Sequence, residues 1–376
     1  MRTAIISDLH LGLTSGGDVL RHPEVRRLLL EEIGEADRVV LLGDAVELRE
    51  RPLGPSLAAA RPFFEDLGAA LGEREVTIVP GNHDHRFAEP LLDDLSLDSG
   101  DPLSLEQTHA PSPGPTATID AWLGPARLRI AYPGLWLRDD VYATHGHYMD
   151  AHLELPRAEC VAVATLIRIS GRPIPDRAGA VDYERIMRAL YGFSYGVAQA
   201  RTIRRAAKRA PGNPSETAWK ALTSDVRARG RRRQLTRSAI RTSFPAGIWA
   251  LNRLLHSSFD PDISPPAIFA GGLAAATELA IRLGVDGAHV ITGHSHRGGP
   301  YPEEADWPLH GGGQLHNTGS WVFASIFHSP GMPPNSYWPG TVTWVEDEGA
   351  PRRVRLLMDH LHPQMTELAE RVRDDA

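Results

Sequence analysis

The sequence predicts an α/β fold: a mainly parallel sheet with helices packed on its faces, interrupted by a mainly helical insertion. Three observations point there. Short apolar runs alternate with helical periodicities through the first third of the chain. Short polar motifs stand at the ends of those runs, where open α/β sheets hold their ligands. A basic stretch with helical spacing then separates the first four motifs from the fifth, after which the alternation resumes.

Residues 3–7 read as a buried strand that ends in Asp8-Leu9-His10. Val25, Leu28, Leu29 and Ile33 repeat at helical spacing, which predicts a helix over 23–33. Residues 38–42 form a second strand leading into Gly43-Asp44, and a helix follows from about 56 to 71. A third strand, 75–79, runs into Pro80-Gly81-Asn82-His83-Asp84. Pro, Ser and Gly crowd 99–115, which predicts a loop. Residues 117–122, 128–131 and 141–144 read as further strands, the last ending in His145-Gly146-His147.

The basic stretch comes next. Ile186, Leu190, Phe193 and Val197 fall on one helical face, and Arg201, Arg204, Arg205 and Lys208 share another. Pro211-Gly212-Asn213-Pro214 breaks that helix, and a second basic run over 227–241 contains Arg231-Arg232-Arg233. A helix over 268–283 and a strand over 289–292 lead to Gly293-His294-Ser295-His296. Residues 341–346 and 353–358 read as a closing antiparallel pair, and 364–373 as a short polar helix. The expected organisation is one discontinuous domain, 1–150 with 266–360, an insertion over 151–265 that caps it, and a tail over 361–376.

With 42% hydrophobic and 23% charged residues in 376, the chain can bury a sizeable core, which excludes a disordered protein. Cys160 is the single cysteine, which excludes an internal disulfide framework and fits a reducing compartment. The apolar run before Asp8 is too short for a signal peptide. The longest apolar stretch, 267–285, carries Glu278 and Arg282 and reads as a helix packed on a sheet rather than a membrane span. The expected location is therefore cytoplasmic, with peripheral contact at the inner face of the membrane as an option. The net charge of −7 conceals an asymmetry: residues 151–245 hold 19 Lys/Arg against 7 Asp/Glu, leaving 21 against 40 elsewhere. Such a stretch is either a solvated helical face or an attractor for an anionic partner: a nucleotide, nucleic acid or acidic membrane.

The five motifs supply imidazole, carboxylate and carboxamide groups and no sulfur. That donor set suits divalent manganese, iron, cobalt, nickel or zinc and disfavours a structural thiolate site. An aspartate can bridge two cations about 3.5–4 Å apart, which together clamp a phosphoryl group and share a nucleophilic hydroxide. An isolated histidine or aspartate reads better as a structural, hydrogen-bonded residue. Five such motifs in order, each after an apolar run, do not.

Asp8-x-His10, Gly43-Asp44, Gly81-Asn82-His83-Asp84, His145 and Gly293-His294-x-His296 resemble, in that order, the calcineurin-like metallophosphoesterase family. Asn317-Thr318-Gly319-Ser320 is similar to a turn these enzymes carry. The resemblance covers roughly 1–149 and 268–357 and leaves the basic insertion outside. It implies a two-sheet αββα sandwich and a metal-dependent phosphoric ester hydrolase with two divalent ions, manganese first, then iron, zinc, cobalt or nickel. It implies that Asp8, His10 and His296 hold one ion, that Asp44 bridges, and that Asn82, His145 and His294 hold the other. His83 would face the phosphate as the catalytic imidazole, and Asp84 would orient it. His147, Glu47 and Asn317 stand close enough to touch substrate or support the ligands; a helical turn after Asp44 would keep Glu47 near the site. His85 reads as a loop residue.

The absence of GDxVDRG and GNHE disfavours the protein serine/threonine phosphatases of the superfamily. Asp8-Leu9-His10-Leu11-Gly12 with Gly43-Asp44-Ala45-Val46-Glu47 is similar to the UDP-2,3-diacylglucosamine pyrophosphatase branch, in which a helical insertion caps the site and takes acyl chains. The alternatives are a cyclic-nucleotide or other small phosphodiester hydrolase, a nuclease using the Arg231-Arg232-Arg233 region as a backbone-binding patch, and a non-catalytic nucleic-acid or membrane adaptor.

Overall fold

Near-continuous apolar runs become strands buried on both faces, as parallel sheets covered by helices require. In the computed structural model, which describes residues 1–95, 103–200, 231–328 and 330–374, three such runs lie side by side. β1 (Thr3–Ile6), β2 (Arg38–Leu42) and β3 (Glu75–Val79) are parallel, with Ile5 opposite Val40 and Val40 opposite Thr77. β4 (Glu106–His109) pairs antiparallel with β5 (Arg127–Arg138). The first half of β5 runs parallel to β3, with Val76 opposite Leu128. Beyond Pro133 the same strand pairs antiparallel with β6 (Val141–Thr144), Leu135 facing Ala143. β7 (His289–Thr292) and β8 (Gln314–Asn317) continue in parallel from β6. β9 (Thr341–Val345) and β10 (Arg352–Arg355) close the other edge, antiparallel to β1 and to each other. The strand order is β10-β9-β1-β2-β3-β5-β6-β7-β8.

The sheet curls at β5, so its two halves face each other. Ile5, Val40, Leu42, Val79, Ala131, Leu135, Val141, Ala143, Ile291 and Val345 form the inner core between them. On one outer face lie α1 (Pro23–Ile33), α2 (Leu53–Leu71) and α4 (Pro115–Leu123), packed through residues such as Leu29, Phe63 and Ile119. On the other lie α5 (Ala158–Ser170), α6 (Ala180–Gln199), α7 (Arg231–Leu255) and α8 (Pro265–Leu283). This is the αββα layering that the motifs imply. The short α3 (Glu89–Asp94) follows the third motif, and α9 (His362–Asp374) closes the described chain.

Several expectations change. Residues 117–122 are not a strand but the body of α4. Gly114-Pro115 starts the helix, and Thr116, Ile119 and Leu123 bury at a helical spacing that the local alternation of apolar and polar residues disguised. The loop expected over 99–115 contains β4, and 96–102 lie outside the described residues. Phe193 does not share the buried face of α6, being 72% exposed; Tyr183, Met187 and Tyr191 carry that face at i, i+4, i+8. The second closing strand ends at Arg355 rather than 358. Arg201, Arg204, Arg205, Lys208 and the break at 211–214 lie outside the described residues, and Arg231-Arg232-Arg233 opens α7. α8 is long and apolar enough by composition to cross a membrane, yet Ala275, Ala276, Leu279 and Ala280 bury against the core and the 147–151 turn.

Candidate metal centre

The site is built where the strands end. Among the described residues six non-glycine residues have positive φ, and five of them are Asp8 (54°), His10 (45°), Asp44 (52°), His294 (65°) and His296 (60°). A left-handed backbone is costly for such residues and persists only where the surroundings impose it. Here it turns each side chain off its strand toward one point. The loops are stitched together by backbone bonds from Asp8 N–H to Gly43 O at 3.0 Å, His10 N–H to Asp44 O at 2.8 Å and Gly293 N–H to His145 O at 3.0 Å. Glycine is required at two places. A Cβ on Gly43, which has φ 85°, would lie 2.2 Å from His145 Nδ1, and one on Gly81 would lie 2.3 Å from Asp44 Oδ1.

Two groups of donors result. Asp8, His10 and His296 bring one ligand atom each within 4.8 Å of one another, as do Asp44, His145 and His294. His10 Nε2 lies 3.2 Å from His296 Nε2, and Asp8 Oδ1 lies 3.3 Å from the same His296 nitrogen. Asn82 Oδ1 lies 3.2 Å from His145 Nε2 and 3.1 Å from His294 Nδ1. Asp44 Oδ2 stands between the groups, 3.5 Å from His10 Nε2 and 3.3 Å from His145 Nε2.

The donor chemistry fits two cations. Each of the four imidazoles spends its outer nitrogen on an acceptor: His10 on Glu47, His145 on Leu42 O, His294 on Asp150 and His296 on Ser320 Oγ. Each inner nitrogen is thereby left as a lone pair facing other lone pairs, the tautomer a metal ligand needs. Asp8 Oδ1 is buried with no hydrogen-bond partner. Buried acceptors crowded without donors are unfavourable unless a cation stands among them.

Residues 1–172 match the family model of the calcineurin-like phosphoesterases. Over that part, a little under half of its length, the chain is similar to the calcineurin-like phosphoesterases. A comparison with curated proteins finds no match. Phosphoesterases of this family are metal-dependent hydrolases of phosphate esters that use divalent ions, typically as a pair. The matched part contains Asp8, His10, Asp44, Asn82, His83 and His145; His294 and His296 lie beyond it, and the fold brings them to the same point.

Burial opposes ionisation of the Asp44 carboxyl, but the neighbouring His145 and His83 outweigh it and hold its pKa well below the usual range. Asp8 behaves alike: burial raises it, and His296 and His10 more than offset that. Both stay anionic, the state that charge balance with cations requires.

The supporting residues correct two expectations. Glu47 reaches the site without a helical turn; it lies in an extended segment whose N–H donates to Leu11 O at 3.0 Å. Its Oε2 accepts from His10 Nδ1 at 3.0 Å and from His83 Nδ1 at 2.6 Å, and its Oε1 accepts the N–H groups of Arg49 and Glu50 at 2.8 and 3.0 Å. Glu47, not Asp84, therefore orients His83. Asp84 is fully buried and accepts backbone N–H groups from Gly81 at 2.7 Å, Ala45 at 2.7 Å, Asp44 at 3.2 Å and Val46 at 3.3 Å, tying two motif loops together. Burial and the Asp44 charge push its pKa up to about 6 against those donors.

His83 N–H donates to Asp44 Oδ1 at 2.8 Å, and the ring, with 21% of its side chain exposed, faces the open side of the site. It also falls within 4.8 Å of His10 and Asp44, but its Nδ1 is spent on Glu47 and its Nε2 turns toward Arg49 at 3.4 Å. Asn317 spends its amide on Gly293 O, Thr292 Oγ1 and Ser295 Oγ at 2.6, 3.2 and 3.1 Å, fixing the loop of the last two histidines. His147 packs behind His145 against Tyr148 and Tyr191, 1% exposed, and burial followed by the neighbouring imidazoles His145 and His85 keeps it neutral.

Sequence reasoning missed three residues. Asp150 holds His294 Nε2 at 3.0 Å. Arg49 stands beside His83. Glu184 on α6 is fully buried, accepting from Tyr148 OH at 2.6 Å and pairing with His85 Nε2 at 3.1 Å. Its place beside Tyr183 on an otherwise apolar face was the one visible signal.

The centre opens into a cavity of about 1370 Å³. Asp44, Asn82, His83, His294 and His296 line its floor, and Leu155, Val161, Phe244, Ile268, Phe269 and Leu273 its walls.

Proposed function

We propose that this protein hydrolyses a phosphodiester or phosphoanhydride carrying a long apolar limb, a UDP-linked glycolipid such as UDP-2,3-diacylglucosamine being the first class to test. Asp8, His10, His296 and Asp44 would hold one ion, and Asp44, Asn82, His145 and His294 the other, with manganese the first ion to test. Two divalent ions there would offset phosphate charge and lower the pKa of bound water from about 15.7 toward about 7. His83, held by Glu47, faces the leaving group.

One observation carries the substrate class: the donor groups line a chamber one side of which, Val161 of α5, Phe244 of α7 and Ile268, Phe269 and Leu273 of α8, is apolar, while Arg157, Glu159, Arg297 and Arg373 bring charge elsewhere in its lining. Its volume of about 1370 Å³ exceeds the roughly 300–1,000 Å³ of common small-molecule sites. The apolar side would bury acyl chains at about 0.8 kcal/mol per CH₂, which supports a substrate with an apolar limb. The same insertion exposes Ile169, Phe193, Trp249 and Leu254, which supports peripheral contact with a lipid surface where such substrates reside.

The test uses chelator-stripped protein with manganese restored, and Asp44→Asn as the blank. Hydrolysis of bis(p-nitrophenyl) phosphate is compared with that of p-nitrophenyl phosphate and a UDP-linked diacyl glycolipid. Metal-dependent cleavage of the diester, with the glycolipid preferred by kcat/KM, is expected. Turnover of the monoester alone would make the protein a phosphomonoesterase and end this reading.

A further inference from the structure

Arg49 sits where the metal centre meets the insertion. Its side chain is 15% exposed, and its NH2 pairs with Glu159 Oε1 of α5 at 3.2 Å. Its NH1 reaches His83 Nε2 only at 3.4 Å, and its buried Nε has no partner. A guanidinium has five N–H donors, and burial makes each unused one costly.

The Asn82 carboxamide sharpens the point. Turned one way, its oxygen accepts from Arg49 NH1 at 2.8 Å, and its amide faces His294, Asp44 and His145. Turned the other way, the oxygen faces His145 Nε2 and His294 Nδ1. It cannot do both. When the oxygen serves the imidazole side, as a ligand must, Arg49 loses that acceptor: its Nε then has no partner and its NH1 only His83 Nε2 at 3.4 Å. An anionic oxygen is the partner of matching charge, and the planar fork suits a phosphoryl group. Space exists for one: Arg49, Asn82, His83, His85, Arg86 and Tyr195 line a side recess of about 140 Å³, together with Glu89, whose carboxylate pairs with Arg188 and His85.

We propose that Arg49 binds a non-bridging phosphoryl oxygen of the substrate and that Glu159 of the insertion holds it in place. The proposal rests on the phosphoesterase reading above. It makes the insertion a contributor to the charge balance of the site as well as its wall.

The test uses the full chain loaded with manganese, as wild type, Arg49→Ala, Arg49→Lys and Glu159→Gln. Metal content is measured by elemental analysis, inorganic phosphate binding by calorimetry, and diester turnover with and without added guanidinium ion. Arg49→Ala should keep its ions and bind phosphate about 10–100-fold more weakly, the range for losing a charged hydrogen bond. Arg49→Lys should fall between, and Glu159→Gln should weaken binding less than Arg49→Ala. Guanidinium should restore part of the Arg49→Ala turnover and none in wild type, which a merely structural role would not produce. Wild-type phosphate affinity in Arg49→Ala, or loss of its ions, would overturn the inference while leaving the phosphoesterase reading intact. A wild type that neither binds phosphate nor cleaves the diester would remove that reading, and this inference with it.

Discussion

Replacing Glu47 by Gln isolates what one buried carboxylate does for the centre. Its Oε1 accepts two backbone N–H groups, and its Oε2 accepts from His10 Nδ1 and His83 Nδ1. Glutamine keeps the shape and can keep the backbone pair, but its amide then points two donors at two donors. His10 escapes the clash by moving its proton to Nε2, the nitrogen that faces Asp44 at 3.5 Å and His296 at 3.2 Å. A protonated nitrogen cannot ligate. Loss of such support costs about 10–100-fold in metal affinity, or roughly 1.4–2.7 kcal/mol. The loss should fall on the ion beside Asp8 and spare the ion beside His145, whose outer nitrogen bonds Leu42 O. Competition with a fluorescent chelator would resolve two classes of site, one weakened and one near wild type. Equal affinities for wild type and Glu47→Gln at both sites would refute the reasoning, as would equal weakening of both.

Four further outcomes are expected. Asp44→Asn should lower the ion count from two and cut diester turnover by at least about 10³-fold; two tightly held ions and normal turnover would remove the bridge. His83→Ala should keep both ions while kcat falls by about 10²–10⁴-fold, and an accompanying loss of one ion would make His83 a ligand. Gly81→Ala should weaken metal binding at least about 10-fold, because its Cβ would meet Asp44 Oδ1 at 2.3 Å, whereas Gly54→Ala, with nothing within 4 Å, should not. The last concerns His85, whose pKa the buried Glu184 and Glu89 raise to about 9 despite desolvation by burial. Its stabilising contribution is full below about pH 6.5 and lost as pH rises through about 9, up to about 3 kcal/mol. The stability gap between wild type and Glu184→Gln in urea unfolding should therefore shrink from pH 6.5 to 9.5, and a constant gap would deny the ion pair.

What could be read from sequence was what is encoded locally. β1, β2, β3, β6 and β7 are apolar runs, and each is followed by donors whose type and order are visible without a fold. β8 escaped notice because Gln314-Leu315-His316-Asn317 holds one apolar residue in four. Residues 117–122 misled because alternation over six residues also fits one face of a short helix. The supporting residues were invisible for a different reason. Asp150 meets His294 across 144 positions, Glu184 meets His85 across 99, and Arg49 meets Glu159 across 110. No local periodicity encodes such meetings; only the curl of the sheet at β5 and the docking of the insertion create them.

The wide spacing of the donors also governs how the centre comes into being. His294 N–H bonds Asp8 Oδ2 across 286 residues, and β1 waits for β9 to cover its outer edge. Chains are synthesised at about 5–20 residues per second, so the loops of Asp8, Asp44 and Asn82 precede His294 by roughly 10–60 s. Throughout that interval the nascent chain presents an incomplete chelate and an uncovered strand edge open to stray pairing. An ion captured then would lack at least one of its four donors, His296 on one side or His294 on the other. A centre whose last donor on each side, His296 or His294, comes near the end of the chain cannot be complete in any shorter nascent fragment.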